Sequence, residues 1–289
     1  LLSFSEYIDT VNELDHNVLL IFQPAEETLG GAEEICKSGI FTKYNVSQVF
    51  GIHLWPFLPK GVISSRPGAF MPKSAEINVD INGKAAHGTA PYEGLDALYI
   101  TADYVKRTYA DHANMFGAIH RFKDGVGDLT YAPCDIPEER TLIHFGKMES
   151  GYARNIVSDY SHLLGTVRAY DEDHFQKIIG ILTKNLEEIE KEYHCTTGFS
   201  HSDGYPPVIN DKVLYDEIRP VLESLEGGYE EMPLPLMISE DFSFYGQYAP
   251  AVFFVLGTGT GIPLHSTSFD FEEDLLLSGF ALYKALLTR

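Results

Sequence analysis

Ala75, Ile77, Val79 and Ile81 alternate strictly with Glu76, Asn78, Asp80 and Asn82, and Asn82-Gly83 follows as a turn. A period of two with one apolar side predicts a half-buried strand in a sheet that keeps one wet face. The chain on either side has a different pattern. Asn17–Phe22 (NVLLIF), Gln48–Leu54 (QVFGIHL) and Ala251–Leu256 are short, nearly continuous apolar runs, which predict buried strands. Between the first two lie a polar loop, Gln23 to Gly31, and a helix of about two turns ending near Gly39. Strand, loop, helix and strand at this spacing predict a parallel α/β sheet. Ahead of them, Ser3-x-x-Glu6 has the form of a capping box opening a helix to about His16.

Beyond Pro72 the pattern predicts a helix from Leu95 to Asp111, then strands at Thr141–Met148 and Ser161–Ala169. Asp171 caps a long helix whose Phe175, Ile178, Ile179, Leu182, Leu186 and Ile189 share one face. Residues 73–196 therefore read strand-helix-strand-strand-helix, an α+β module of the ferredoxin-like split type. The segment His112 to Glu139 is longer than that module needs and suggests a loop or an extra hairpin. The rest returns to the first style, with a helix around Lys212–Leu225, the 251–256 strand, a Gly-rich loop at Gly257–Gly261 and a helix from about Glu272. The expected organisation is one α/β domain, residues 1–72 plus 197–289, interrupted by the module at 73–196.

Composition narrows the partners. Against 21 Lys+Arg stand 42 Asp+Glu, a formal charge of −21, which repels phosphate backbones and anionic lipid surfaces. No apolar run approaches the roughly 18 to 20 residues a membrane helix requires. Cys36, Cys134 and Cys195 are odd in number and contain no CxxC pair, so neither a disulfide framework nor a zinc ribbon is supported, and a reducing cytoplasm is the expected location. The start, Leu1-Leu2-Ser3, carries neither an initiator Met nor a signal-peptide pattern, and the chain is expected to begin inside a longer natural one.

Three polar clusters fall just past the C-terminal ends of predicted α/β strands: Gln23-Pro24-Ala25-Glu26-Glu27, Gly51-Ile52-His53-Leu54-Trp55-Pro56 and Pro263-Leu264-His265-Ser266. Ligands bind at that edge of open α/β sheets. Two imidazoles and a carboxylate suffice to hold zinc with one position open. In an extended Glu26-Glu27 pair the side chains point to opposite sides, so one carboxylate can ligate while the other serves as general base. Each feature alone has a plainer reading. Glu pairs are usually solvated surface, a strand His is often a hydrogen-bonded core residue, and His265 could be a surface loop residue.

Five motifs occurring in order favour the site reading. FQPAEE (Phe22–Glu27), GIHLWPFLPKG (Gly51–Gly61), GKAAHGTAP (Gly83–Pro91), SEDFS (Ser239–Ser243) and LGTG…PLHS (Leu256–Ser266) together resemble the co-catalytic metallopeptidases that include aminoacylases, hippurate hydrolase and indole-acetyl-amino-acid hydrolases. The resemblance implies a two-metal α/β catalytic domain with an inserted dimerisation domain, hence a homodimer. It implies Glu26 as general acid/base and Glu27, His53 and His265 as metal ligands. His87 would polarise the scissile carbonyl, often in the partner subunit's site. Asn155 and Arg168 match positions that grip a substrate carboxylate, for which the guanidinium fork is suited. As plainer alternatives, His87 could be a loop residue, Asn155 a turn cap and Arg168 an ion-pair partner. Glu240-Asp241 would orient ligands or pack the site floor.

The implied cofactors are two divalent metal ions, zinc by default, with manganese, cobalt or nickel also compatible with imidazole and carboxylate donors. The family's Cys-Gly-His-Asp segment, with a bridging thiolate and another His, is expected upstream of Leu1. The implied reaction is hydrolysis of the amide of an N-acyl amino acid. Two other readings remain: a binding protein that kept the fold without catalysis, and a dipeptidase or exopeptidase of the same family.

Overall fold

The computed structural model describes residues 1–11, 13–27, 30–116, 121–123, 128–130 and 140–289. In chain order the elements are α1 Leu2–Ile8, α2 Gly31–Lys37, α3 Ile40–Lys43, β1 Val49–Trp55, β2 Ile63–Ser65, β3 Gly68–Met71, β4 Lys73–Asn82, β5 Ala86–His87, α4 Ala97–Phe116, β6 Arg121–Lys123 and β7 Asp128–Thr130. They continue with β8 Thr141–Ser150, β9 Ile156–Val157, β10 Tyr160–Ala169, α5 Glu172–Tyr193, β11 Thr196–His201, β12 Val208–Asn210, α6 Lys212–Glu223, β13 Tyr229–Glu231, β14 Ala251–Gly257 and α7 Leu276–Leu287. They fall into two compact units, Leu1–Met71 with Val208–Arg289, and Pro72–Pro207.

The first unit is built on a four-stranded sheet in the order β1-β14-β2-β13. Every residue of β14 is buried, because it is sandwiched. Phe253 and Val255 join a core with Cys36, Phe41, Phe70, Phe242 and Tyr245. Val252, Phe254 and Leu256 face a second core with Ile218 and Leu222 of α6 and Leu282 and Leu286 of α7. The sheet is mixed where the sequence pattern suggested a parallel one: β1 runs parallel to β14, and β2 antiparallel to it. The short link from Trp55 to Ile63 accounts for this, since a parallel partner requires a crossover of a dozen or more residues.

Two further expectations fail in this unit. The first helix ends at Ile8 rather than near His16. Asn17–Phe22 forms no strand; Val18 to Ile21 are half-buried and Phe22 is 60% exposed. A strand exists only through ladder bonds to a neighbour, and an apolar run alone does not provide one.

The second unit is a four-stranded antiparallel sheet in the order β11-β4-β10-β8. Ala75, Ile77, Val79 and Ile81 pack with Ile100 and Tyr104 of α4 and Phe175, Ile178 and Leu182 of α5. Glu76, Asp80 and Asn82 stay exposed on the other face. The module extends past residue 196, because Thr196–His201 pairs with Asn82–Ile77 as a fourth strand. It therefore completes a β-α-β-β-α-β unit. The alternating strand β4 lies inside this sheet, leaving β11 and β8 at its edges. Within 112–139, α4 runs on to Phe116 and β6 pairs antiparallel with β7 as a hairpin; Cys134 lies outside the described residues.

Candidate active site

Parallel pairing of β1 with β14 brings their C-terminal ends side by side, with His53 opposite Val255 and Trp55 opposite Gly257. The loop to His265 leaves from this edge. The His53 ring donates from Nδ1 to the Leu54 carbonyl oxygen at 2.7 Å. A carbonyl only accepts, so in the neutral ring the proton sits on Nδ1 and Nε2 presents its lone pair, as a metal-ligating imidazole requires. Gly51 lets β1 approach the 3-10 segment Asp241–Gln247, for a Cβ there would lie 2.7 Å from the Phe242 ring.

The loop carrying Glu26 and Glu27 is held by Asp241. This fully buried carboxylate accepts both bonds from Gln23 Nε2, at 2.8 and 2.7 Å, and the Ala32 backbone N–H at 3.1 Å. Tyr245 completes the chain by donating its hydroxyl to Gln23 Oε1 at 2.7 Å. At Gly31 a Cβ would fall 1.9 Å from the Pro24 carbonyl oxygen, so only glycine permits the loop to fold back onto α2. Ala25 and His265 both take positive φ, at 60° and 62°. Non-glycine residues enter that region at a cost of order 1–3 kcal/mol, and such strain concentrates at functional sites.

Ligating atoms of Glu26, Glu240 and Asp241 all lie within 4.8 Å of one another. Burial, then repulsion from Glu27 and Asp241, raises the Glu26 carboxyl; His53 and a hydrogen bond with Glu240 pull the other way. Burial and repulsion from Glu26 and Asp241 push Glu240 up to about 8. Two carboxyl groups can share a hydrogen bond only if one keeps its proton, and Glu240 is the one that does. His265 Nε2 stands 3.8 Å from Glu27 Oε1, with the side chains 72% and 70% exposed, so this pair faces water while Glu26 faces inward. Three clustered carboxylates, with the His53 ring close enough to act on Glu26, suit a divalent cation, which would offset the part of the Glu26 and Glu240 shifts that repulsion adds to burial. Three hydrogen bonds already occupy Asp241, and Glu26 and Glu240 are bonded to each other, leaving Glu27 and the imidazoles as the more available donors. Cys36 is no part of this set: its buried thiol is pushed up to about 11.

In the second unit, β5 pairs with β9, placing His87 opposite Ile156 and bonding Gly88 N–H to the Asn155 carbonyl oxygen at 2.8 Å. His87 and Asn155 are thus neighbours. Arg168 is not near them. It sits at the far end of β10, opposite Ser74, whereas Tyr160 at the near end pairs with Asn82. Eight strand residues span roughly 26 Å, so Asn155 and Arg168 of one chain do not grip a single carboxylate together. Burial lowers the Arg168 guanidinium below its ordinary value.

The sequence pattern suggested only a supporting role for Glu240-Asp241 and gave no role to Gln23 or Tyr245. The signal for them lay in the motifs FQPAEE and SEDFSFY, whose polar residues sit among buried aromatics and so require partners.

The model of peptidase family M20/M25/M40 matches residues 1–289. The chain belongs to that family. Relatives of this M20-family chain include an uncharacterised hydrolase of Staphylococcus aureus, 31% identical over 95% of this chain and 68% of its own length. One from Staphylococcus epidermidis is 31% identical over 96% of this chain and 69% of its own. Among solved structures, a candidate aminohydrolase from methicillin resistant Staphylococcus aureus superposes with a TM-score of 0.74 at 22% identity, over 91% of this chain and 64% of that one. A Bacillus subtilis protein described as a dinuclear metal-binding peptidase of family M20 gives 0.70 at 21%, over 92% and 63%. The M20-family chain thus spans just under two thirds of those two structures, and the likeness establishes a shared mixed α/β fold. Among the described residues, no helix is long and apolar enough to cross a membrane.

Proposed function

We propose that the whole protein is a metal-dependent amidohydrolase that cleaves the amide of N-acyl amino acids, working as a cytoplasmic homodimer. The observation that supports this most is the cluster of Glu26, Glu240 and Asp241, with His53 and Glu27 close enough to act on Glu26 and His265 beside Glu27. Glu27, His53 and His265 would hold two divalent ions together with donors from the rest of the protein; zinc is the default, with manganese, cobalt and nickel as alternatives. Ions held there would supply Lewis acidity to a carbonyl oxygen and to water.

The chain's own residues do the rest. Glu26 takes a proton from the attacking water and returns it to the leaving amine, a task suited to a carboxyl that burial raises above its ordinary value. Glu240, hydrogen-bonded to Glu26, keeps that carboxylate aimed. His87 donates a hydrogen bond to the carbonyl oxygen as charge builds on it. Arg168 and Asn155 are candidates for the substrate carboxylate. Their separation in one chain suits a two-fold dimer in which each site takes one of them from each copy.

The test is hydrolysis by the full-length protein of a panel of N-acyl amino acids beside dipeptides, with metal content measured on the same sample. Selective release of acyl groups at one to two ions per subunit supports the reading. Cleavage of dipeptides alone makes it an exopeptidase, and absence of metal and turnover makes it a binding protein. Sedimentation at micromolar concentration tests the dimer.

A further inference from the structure

His87 ends β5, and its surroundings constrain the ring as well as the backbone. Ala90 N–H donates to the His87 carbonyl oxygen at 2.8 Å, and a Cβ on Gly88 would lie 3.0 Å from the Asn155 carbonyl oxygen. The turn therefore closes tightly against β9. Within it, the Thr89 backbone N–H donates to His87 Nδ1 at 3.3 Å, and Thr89 Oγ1 lies 2.8 Å from the same nitrogen. A backbone N–H can only donate, so Nδ1 must present a lone pair there. The hydroxyl, free to rotate, then donates as well. A neutral imidazole whose Nδ1 accepts carries its proton on Nε2.

We infer that Thr89 is a positioning residue that holds His87 in the Nε2–H tautomer, so that the exposed edge of the ring offers a hydrogen-bond donor. What that donor meets rests on the function proposed above: an oxygen that gains negative charge, such as an amide carbonyl under attack. The opposite tautomer would turn a lone pair toward that oxygen and repel it. Recognition by this ring is accordingly restricted to acceptor groups, and Thr89 maintains that restriction without touching the substrate.

Long-range proton–nitrogen NMR of the chain tests this, at a pH above the usual imidazole range, with the His87 signals assigned by their disappearance in His87→Gln. Nδ1 should resonate as an unprotonated acceptor and Nε2 as a protonated nitrogen. Thr89→Val keeps the branched shape and the backbone N–H but removes the hydroxyl, so it should shift Nδ1 toward a weaker acceptor; Thr89→Ser should restore it. In the full-length enzyme, Thr89→Val should lower kcat about two- to tenfold, the loss of one modest hydrogen bond, with KM nearly unchanged and serine again restoring the rate. A protonated Nδ1 in the native chain, or an Nδ1 signal indifferent to Thr89→Val, overturns the inference. If the NMR result holds and no amide is cleaved, the role of Thr89 stands and the proposed function fails. Amide cleavage with a protonated Nδ1 leaves the function standing and removes the role of Thr89.

Discussion

His265 Nε2 lies 3.8 Å from Glu27 Oε1, and both side chains are open to water. Glu26, one residue earlier, turns inward to Glu240. Adjacent carboxylates thus occupy different environments, and the proposed mechanism needs that difference.

Glu26→Gln separates proton transfer from ion binding. The amide keeps the shape and the link to Glu240 but cannot accept a proton, so turnover should fall at least about 100-fold. Metal content, measured by elemental analysis, should stay near normal. Near-native turnover would show that Glu26 is not the base.

His53→Ala should act on occupancy instead. Its Nε2 lone pair is aimed by the bond to Leu54, and alanine removes the donor outright. Metal-ion content should drop, and added metal at high concentration should recover part of the activity. Unchanged content would remove His53 from the ligand set.

The pH dependence of the metal-free protein follows from Glu240. Its folded carboxyl is raised from 4.5 to about 8. Between those values the folded state binds a proton that the unfolded state has lost, so stability is present below about 4.5 and lost as pH rises toward 8. The slope is at most about 1.4 kcal/mol per pH unit. In chelator-treated protein, Tm should fall by up to roughly ten degrees across this window, and Glu240→Gln should flatten the curve. Equal slopes in the two proteins would mean that Glu240 ionises normally.

Asp171 gives the opposite sign. Burial pushes its carboxyl up, but hydrogen bonds from the backbone and side chain of His174 outweigh this and leave it below the usual value. Its contribution is present above the ordinary carboxylate range and lost as pH falls through the lowered value. The cap accepts the His174 N–H at 2.7 Å, and Asp171→Ala should cost about 1 kcal/mol in denaturant unfolding near neutral pH. That deficit should shrink in acid.

Local patterns carried much of this structure. Strand β4 was legible because its alternation records one wet and one dry face, and α5 because its apolar stripe and the Asp171 cap are written within a few residues of each other. Strand pairing was less legible. Thr196–His201 shows no strong alternation, and it is a strand because β4 offers an edge to pair with. Asn17–Phe22 has the opposite history, an apolar run with no ladder. At the site, the motifs marked Glu26, Glu27, His53 and His265, whereas the work of Asp241 depends on Gln23 and Ala32 meeting it from far along the chain. The distance between Asn155 and Arg168 was hidden for a related reason: thirteen positions look short in sequence, yet an extended strand separates them.

The Tyr245–Gln23–Asp241 chain has a consequence for how ions enter. It seats the Glu26 loop through bonds in which no ion takes part. Capturing a cation then means expelling a shared proton and some water from a loop already seated at Gln23 and Ala32. Loading should accordingly be a simple bimolecular event, proportional to ion concentration, and one metal should exchange for another without the chain passing through a loosened state. The identity of the working metal would be set by supply and donor chemistry, since the anchors of the loop at Gln23 and Ala32 do not depend on which ion arrives.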